Sequence, residues 1–228
     1  MAGLLPGLIM DWSVISSSIP VYGEAALLTL RIGVIGIIAS ALVGLLCAAV
    51  QSFRIPVLRQ IVAVYIELSR NTPLLVQLFF LYFGLPKVGV VWPSEVCAIV
   101  GLTFLGGSYM AEAFRSGLDS VHPIQLQSAL ALGMSTPTAF RHVLAPQAFA
   151  IAAPALTANV IFLIKETSVV SVVALPDLVY VAKEQIGTDY DTSEALLLLV
   201  AFYLLLLLPI SLGANWLERK VRSNAFGS

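Results

Sequence analysis

The chain has 228 residues, of which 59% are hydrophobic and 11% are charged, and its formal net charge is −1. A soluble domain carries roughly 25% charged residues, so this composition indicates an integral membrane protein. The near-neutral charge excludes the basic surface that is typical of nucleic-acid-binding proteins. Cys47 and Cys97 belong to no metal or redox motif, and we expect them to pack as small apolar residues without pairing.

Five apolar segments approach the length of about 20 residues that a transmembrane helix requires. They lie at about residues 24–50, 61–84, 94–114, 148–175 and 194–217. The predicted fold class is therefore all-α integral membrane, with about five transmembrane helices in a single domain over residues 1–228. Residues 1–22 are predicted to form an outer or interfacial N-terminal segment, and residues 116–147 a loop between the third and fourth helices.

Glycine and proline predict two local features of these segments. Gly33, Gly36 and Gly44 in the first segment would let another helix approach closely. Pro73 interrupts the second segment after Arg70-Asn71-Thr72. Because proline removes a backbone hydrogen bond and clashes with the preceding turn, we expect a kink or break there.

The loop between the third and fourth segments is too regular to be a flexible connection. Pro123 suits the first position of a helix, and Gly133 can take the left-handed conformation that closes it. Ser135 or Thr136 can cap a second helix that would begin at Pro137. The pattern predicts two short helices around a glycine turn, held between two spans as a docking surface.

The basic residues predict the orientation of the chain. Seven of them fall on one side of the predicted spans: Arg54, Arg59, Arg115, Arg141, Arg219, Lys220 and Arg222. Only Lys87 and Lys183 fall on the other side. By the positive-inside rule, the docking loop and the C-terminus are predicted to be cytoplasmic and the N-terminus to be outside.

Four charged residues lie inside the predicted spans: Glu67, Arg70, Lys165 and Glu166. A charge at a helix centre costs about 2.5–3.5 kcal/mol on insertion, so these side chains should face one another or water. Glu67 and Arg70 are three residues apart and can pair on one helix face. Lys165 and Glu166 are adjacent and need separate partners. Further polar residues belong to the same two segments: Ser69, Asn71, Thr72, Gln77, Asn159, Thr167 and Ser168.

Two interpretations of this polar set stay open. It could form a water-accessible pocket for a small zwitterion, because a cation and an anion there could meet an α-carboxylate and an α-amino group. It could instead be an ion-pair network that joins the second and fourth spans. Both can be true of the same residues.

The docking loop resembles the EAA loop of ABC importer permeases. Gln127-Ser128-Ala129 is followed by three residues, then Gly133, then nine residues and the segment 143–146, which reads Val-Leu-Ala-Pro. The spacing matches throughout, although four letters differ. The resemblance implies that this loop couples the chain to an ATPase subunit. The implied coupling residues are Gln127, Ser128, Ala129, Leu132, Gly133, Met134, Ser135 and Pro146.

Two other segments resemble the polar amino acid permeases of the histidine, glutamine and arginine type. Residues 67–86 are similar to the second-helix signature of that family, and Lys165-Glu166-Thr167-Ser168 to its fourth-helix signature. The resemblance implies half of an amino acid translocation pathway in a bacterial inner membrane. The implied partners are ATPase subunits, a second permease that is identical or paralogous, an extracytoplasmic amino-acid-binding protein, and membrane lipid.

The chain itself is not expected to be an enzyme. It contains no G-x-x-x-x-G-K-[ST] phosphate-binding loop and no H-E-x-x-H metal motif. We therefore expect no cofactor on this chain, with ATP and magnesium at the partner ATPase. The alternative from a different class is a multi-span scaffolding protein without transport activity.

Overall fold

The computed structural model describes residues 10–53 and 55–226, without the side chains of residues 222 and 224–226. Two arginines of the charge argument, Arg54 and Arg222, therefore lie outside the described side chains. The first nine residues of the predicted N-terminal segment lie outside the described residues as well.

Nine α-helices follow one another along the described chain, and the described residues contain no strand. They are α1 (Trp12–Ser52), α2 (Leu58–Arg70), α3 (Leu74–Phe79), α4 (Ser94–Asp119), α5 (Ile124–Ala131), α6 (Thr136–Ala139), α7 (Ala145–Glu166), α8 (Leu178–Thr188) and α9 (Thr192–Phe226). Wide π-type turns occupy Phe80–Gly84 and Phe140–Leu144, and 3₁₀ helices occupy Leu85–Val88 and Thr167–Val173. The predicted all-α class is confirmed.

Four helices of the described chain are long and apolar enough to cross a membrane: Trp12–Ser52, Ser94–Asp119, Thr136–Val173 and Thr192–Val221. A shorter apolar stretch covers Leu74–Val88. The predicted second span is divided between α2 and α3, and the division falls at Pro73, as expected. Asn71 closes α2, because its backbone N–H donates to the carbonyl of Glu67 (3.2 Å).

Helix α1 is much longer than the first predicted span. Its 41 residues correspond to about 60 Å, whereas a bilayer core is about 30 Å thick. The segment predicted to be interfacial is helical from Trp12 onward and includes Pro20 inside the helix. The outer turns of α1 are thus continuous with the first span.

The chain divides into two compact units. The first comprises Met1–Ile35, Leu74–Gly101 and Ile164–Pro209. Its largest fully buried side chain is Tyr22, whose hydroxyl donates to Oε1 of Gln185 on α8 (3.0 Å). Gly101 lies close to Leu78, which is fully buried, so α3 and α4 meet at a position without a side chain.

The second unit comprises Gly36–Pro73, Leu102–Leu163 and Ile210–Ser228. Here α1 crosses α4 at Gly44. A Cβ atom added to Gly44 would lie 2.8 Å from the Ala111 nitrogen and closer still to Cβ of Met110. Gly36 is similarly close to Leu102. The predicted close approach of a helix to the glycines of the first span is confirmed.

Both cysteines are free and buried, as predicted. No group of His, Cys, Asp and Glu residues in the described chain could hold a metal ion.

Candidate functional site

The docking loop predicted over residues 116–147, called the docking stretch from here on, contains α5. Gly133 closes that helix. Gly133 has a φ of 83°, a left-handed conformation that glycine adopts without steric cost. Its N–H donates to the carbonyl of Leu130 (2.9 Å), and the Met134 N–H donates to the carbonyl of Ala129 (3.1 Å). These two bonds form a Schellman motif, which satisfies the last carbonyls of a helix. The predicted left-handed glycine turn is confirmed.

Beyond this turn, the second helix differs from the prediction. It begins at Thr136 rather than Pro137, and Ser135 before it has an extended backbone. The Ser135 hydroxyl lies 2.8 Å from Oγ1 of Thr138 and does not accept a hydrogen bond from a backbone N–H of the helix. It is also not a separate short helix, because it passes through Phe140–Leu144 into α7. Pro146 lies inside this continuous helix, just after the wide turn, where its missing N–H removes a backbone hydrogen bond. The wide turn just before it accommodates that loss.

The docking stretch exposes small and polar side chains together with three large apolar ones, Ile124, Leu130 and Leu132, of which Leu132 is the most exposed. Leu132 is 80% exposed, whereas Ala129 is buried against the rest of the unit. The other residues that were predicted to couple and that are exposed are Gln127, Ser128, Gly133, Ser135 and Pro146, with Met134 half-buried.

A chain of charged side chains runs along α4 in the same unit. Arg115 holds the Glu112 carboxylate with two hydrogen bonds of 2.9 and 3.3 Å, and its Nη1 lies 3.1 Å from Oδ2 of Asp119. Arg70 at the end of α2 lies 3.5 Å from the same Glu112 carboxylate. The guanidinium of Arg70 also stands 5.4 Å from the ring centroid of Tyr109. Glu112 is therefore shared between two arginines on two helices.

The expected pairing of Glu67 with Arg70 is replaced by other partners. Glu67 accepts a hydrogen bond from the Asn71 side-chain amide (3.1 Å), while Arg70 pairs with Glu112. Sequence reasoning missed Glu112 because the partner of Arg70 lies 42 residues further along the chain. Two signals pointed to Glu112: its i, i+3 spacing to Arg115 within α4, and the resemblance of Tyr109, Glu112 and Arg115 to the permease family just before the EAA loop.

The remaining polar residues of the α2 end act locally. The Asn71 side chain donates to the Glu67 carbonyl (2.8 Å), and the Thr72 hydroxyl donates to the Leu68 carbonyl (2.8 Å). Ser69 is buried and bonds to the Phe104 carbonyl of α4 (2.8 Å). These contacts terminate α2 and attach it to α4.

Asn159 belongs to the second unit as well. Its side-chain amide donates to the Tyr109 carbonyl (3.1 Å), so it joins α7 to α4 one turn before Glu112. The structure thus brings Arg70, Tyr109 and Glu112 together, with Asn159 bonded to the backbone beside them.

The other predicted pathway residues lie in the first unit. Gln77 is buried on α3, which packs against the 3₁₀ helix Thr167–Val173. Thr167 is fully buried and its hydroxyl donates to the Ile164 carbonyl (2.6 Å). Lys165 is exposed, Glu166 and Ser168 are half-buried, and neither Lys165 nor Glu166 forms an ion pair within the described part of the chain.

Comparison with known proteins gives a consistent result. Residues 40–223 match the family model described as "Binding-protein-dependent transport system inner membrane component". The chain is 31% identical to a probable glutamine ABC transporter permease protein, GlnM, of Bacillus subtilis (strain 168), over 94% of this chain and 100% of that protein. It is 32% identical to the glutamine transport system permease protein GlnP of Escherichia coli (strain K12), over 93% and 98%.

Solved structures agree with the sequence relatives. A chain of an amino acid ABC transporter crystallised with histidines superposes with a TM-score of 0.85 at 30% identity, over 92% of this chain and 99% of that one. The MetNI methionine ABC transporter shares the fold, with a TM-score of 0.67 at 21% identity over 93% and 99%. The helical architecture agrees with the family match over residues 40–223 and with relatives at 30–32% identity over nearly the whole chain. This multi-pass membrane protein therefore belongs to the family of binding-protein-dependent transport system inner membrane components.

Proposed function

We propose that the chain is the permease subunit of an ATP-driven amino acid importer and that it couples to a separate ATPase through the docking stretch. The observation that carries the proposal is the exposed face around Leu132, next to the Schellman turn at Gly133 that closes α5. Relatives that cover nearly all of the chain are named for glutamine and arginine transport, which supports an amino acid as substrate. A scaffolding role without transport is not favoured.

The proposed assembly contains two permease chains, identical or paralogous, and two ATPase subunits that bind ATP and magnesium. An extracytoplasmic binding protein delivers the amino acid. The docking stretch and the C-terminus face the cytoplasm and the N-terminus faces outward, as the basic residues predict. ATP binding would bring the ATPase subunits together and move both docking stretches, which would open the pathway to the opposite side.

Arg70 is the proposed contact for the substrate carboxylate. Its side chain is 42% exposed, and its guanidinium lies near both the Tyr109 ring and the Glu112 carboxylate. A planar guanidinium can bind a carboxylate with two parallel hydrogen bonds, and Glu112 could then attract the α-amino group. Lys165, Glu166 and the polar residues beside them are proposed to line the pathway in the first unit.

Coupling can be tested with a matched pair of glycine variants. Gly133→Asp places a side chain and a charge on the docking face at a left-handed position. Gly89→Asp makes the same change at the other exposed left-handed glycine of the described chain, which has a φ of 87° and lies outside the docking stretch. We expect Gly133→Asp to abolish substrate-stimulated ATP hydrolysis by the assembled importer in proteoliposomes, and Gly89→Asp to retain it. Normal stimulated hydrolysis in Gly133→Asp would refute coupling through this turn.

The pathway residues need a test that separates transport from assembly. Arg70→Gln, Lys165→Ala and Glu166→Gln should each reduce amino acid uptake at least tenfold while the permease still co-purifies with the ATPase. If uptake falls only in variants whose complex falls apart, these charges hold the fold together and the substrate assignment fails. Normal uptake in a strain that lacks the gene would favour the scaffolding alternative instead.

A further inference from the structure

A cavity of about 530 Å³ lies in the second unit beside the docking stretch. The end of α1, the start of α2, the end of α4 and the docking stretch all contribute to its walls. Leu126 of α5 faces it, while the exposed residues Gln127 and Leu132 belong to another face of the stretch. The cavity is therefore distinct from the surface that we assign to the ATPase.

The cavity contains two arginines in different electrostatic situations. Arg115 is already paired, since it contacts Glu112 and Asp119. Arg59 is exposed on α2 and forms no ion pair with any residue that the structure describes. Asp119 is the one carboxylate among the lining residues that the structure describes. Those described residues therefore offer one uncompensated cation beside a compensated one, which suits an anionic ligand.

The rest of the described lining combines five apolar residues, two of them aromatic, with three uncharged polar residues. The rings of Phe53 and Phe140 pack with their centroids 5.8 Å apart. Phe53, which lines the cavity, is 63% exposed, and Val57, Leu58 and Ile61 in the adjoining segment are 67%, 47% and 58% exposed without lining it. A soluble anion gains nothing from exposed apolar side chains beside its site, whereas an amphipathic molecule can place its apolar part against them.

The position of the cavity fits the same conclusion. It lies where α1 and α4 end and where the span Thr136–Val173 begins, which is the level of the lipid headgroups if these helices cross the bilayer. Basic pockets between transmembrane helices at that level can bind anionic headgroups. We infer that this cavity binds the phosphate group of an anionic phospholipid, with Arg59 as the contact for the phosphate and the Phe53–Phe140 wall against the glycerol and the first acyl carbons.

Lipid titration of the purified full-length chain, followed by native mass spectrometry, tests this inference without transport or the ATPase. The probes are dioctanoylphosphatidylglycerol, dioctanoylphosphatidylcholine and inorganic phosphate. We expect the wild type to bind the anionic dioctanoylphosphatidylglycerol more tightly than the zwitterionic dioctanoylphosphatidylcholine. Arg59→Gln should weaken the affinity for dioctanoylphosphatidylglycerol about fivefold, which corresponds to about 1 kcal/mol for one arginine. The affinity of Arg59→Lys should stay within twofold of the wild-type value.

Three further variants make the result specific. Ser52→Trp should fill the cavity from an exposed wall position and abolish binding with both arginines intact. Asp119→Asn removes the competing carboxylate and should tighten binding at least twofold. Arg219→Gln, a basic residue of α9 that is not among the lining residues, should change it less than twofold.

Several outcomes would overturn the inference. One is equal binding of the two lipids by the wild type. Another is wild-type affinity in both Arg59→Gln and Ser52→Trp, provided that both elute as folded protein. Displacement of the lipid by inorganic phosphate at a similar concentration would assign the site to a soluble phosphate compound and so refute a lipid ligand.

Discussion

The crossing of α1 and α4 at Gly44 gives the sharpest test of the packing in the second unit. Ordinary carbon contacts are 3.5–4.0 Å, but an alanine Cβ at this position would lie 2.9 Å from the Met110 carbonyl carbon and 2.8 Å from the Ala111 nitrogen. Because these are backbone atoms of α4, no side-chain rotation can relieve the overlap. The two helices would have to move apart by about 1 Å.

We expect Gly44→Ala to destabilise the protein by about 1–3 kcal/mol, the usual cost of overpacking. Gly23→Ala is the matched control in the same helix, since an added Cβ there has no neighbour within 4 Å. Both changes gain up to about 1 kcal/mol of helix propensity, so the difference between the two variants isolates the packing cost.

The assay is the midpoint of thermal unfolding of each variant in the same mild detergent. A difference of 2 kcal/mol corresponds to roughly 4–8 °C for a chain of this size. Equal midpoints for Gly44→Ala and Gly23→Ala would show that α1 and α4 do not meet backbone to backbone. That result would refute the reasoning, because the close approach is its only premise.

Two other residues give predictions of different kinds. Burial raises the pKa of Asp177 to about 6, despite opposing backbone hydrogen bonds and Lys183, so its folded carboxyl binds protons more tightly than the unfolded one. Stability should then fall by up to about 3 kcal/mol as the pH rises from about 4 to 6 and stay level above 6, and Asp177→Asn should flatten unfolding midpoints measured across that window. Glu112→Gln removes a carboxylate shared by two half-exposed arginines and should cost about 1 kcal/mol in low salt, more than Asp119→Asn, which removes one exposed pair. The same loss of stability for both variants at 0.5 M salt and at low salt would contradict an electrostatic origin.

The features that the sequence predicts well depend on one residue type and a local backbone rule. Gly133 closes α5 because the left-handed position excludes most other residues, and Pro73 divides α2 from α3 because it lacks an N–H. Gly44 was predicted at a helix contact for a similar reason, since only a missing Cβ permits it. Such constraints are visible without knowledge of the tertiary structure.

The features that the sequence does not predict depend on partners far apart in the chain or on several local backbone effects that act against one another. Arg70 pairs with Glu112 rather than Glu67, and no spacing rule connects positions 42 residues apart. The helix after Ser135 continues into the span because a wide turn compensates for Pro146. The presence of a proline alone does not predict such a turn. The length of α1 was underestimated because its first turns, before residue 24, contain several polar residues and give no continuous apolar signal.

The 3₁₀ helix Thr167–Val173 has a mechanical consequence. A 3₁₀ helix rises about 2.0 Å per residue with three residues per turn, against 1.5 Å and 3.6 residues for an α-helix. Conversion of these seven residues to α-helix would shorten the segment by about 3.5 Å and rotate one end relative to the other by about 140°. Such a conversion would therefore change both the distance and the relative rotation of the polar pair Lys165–Glu166 and the residues that lead into α8.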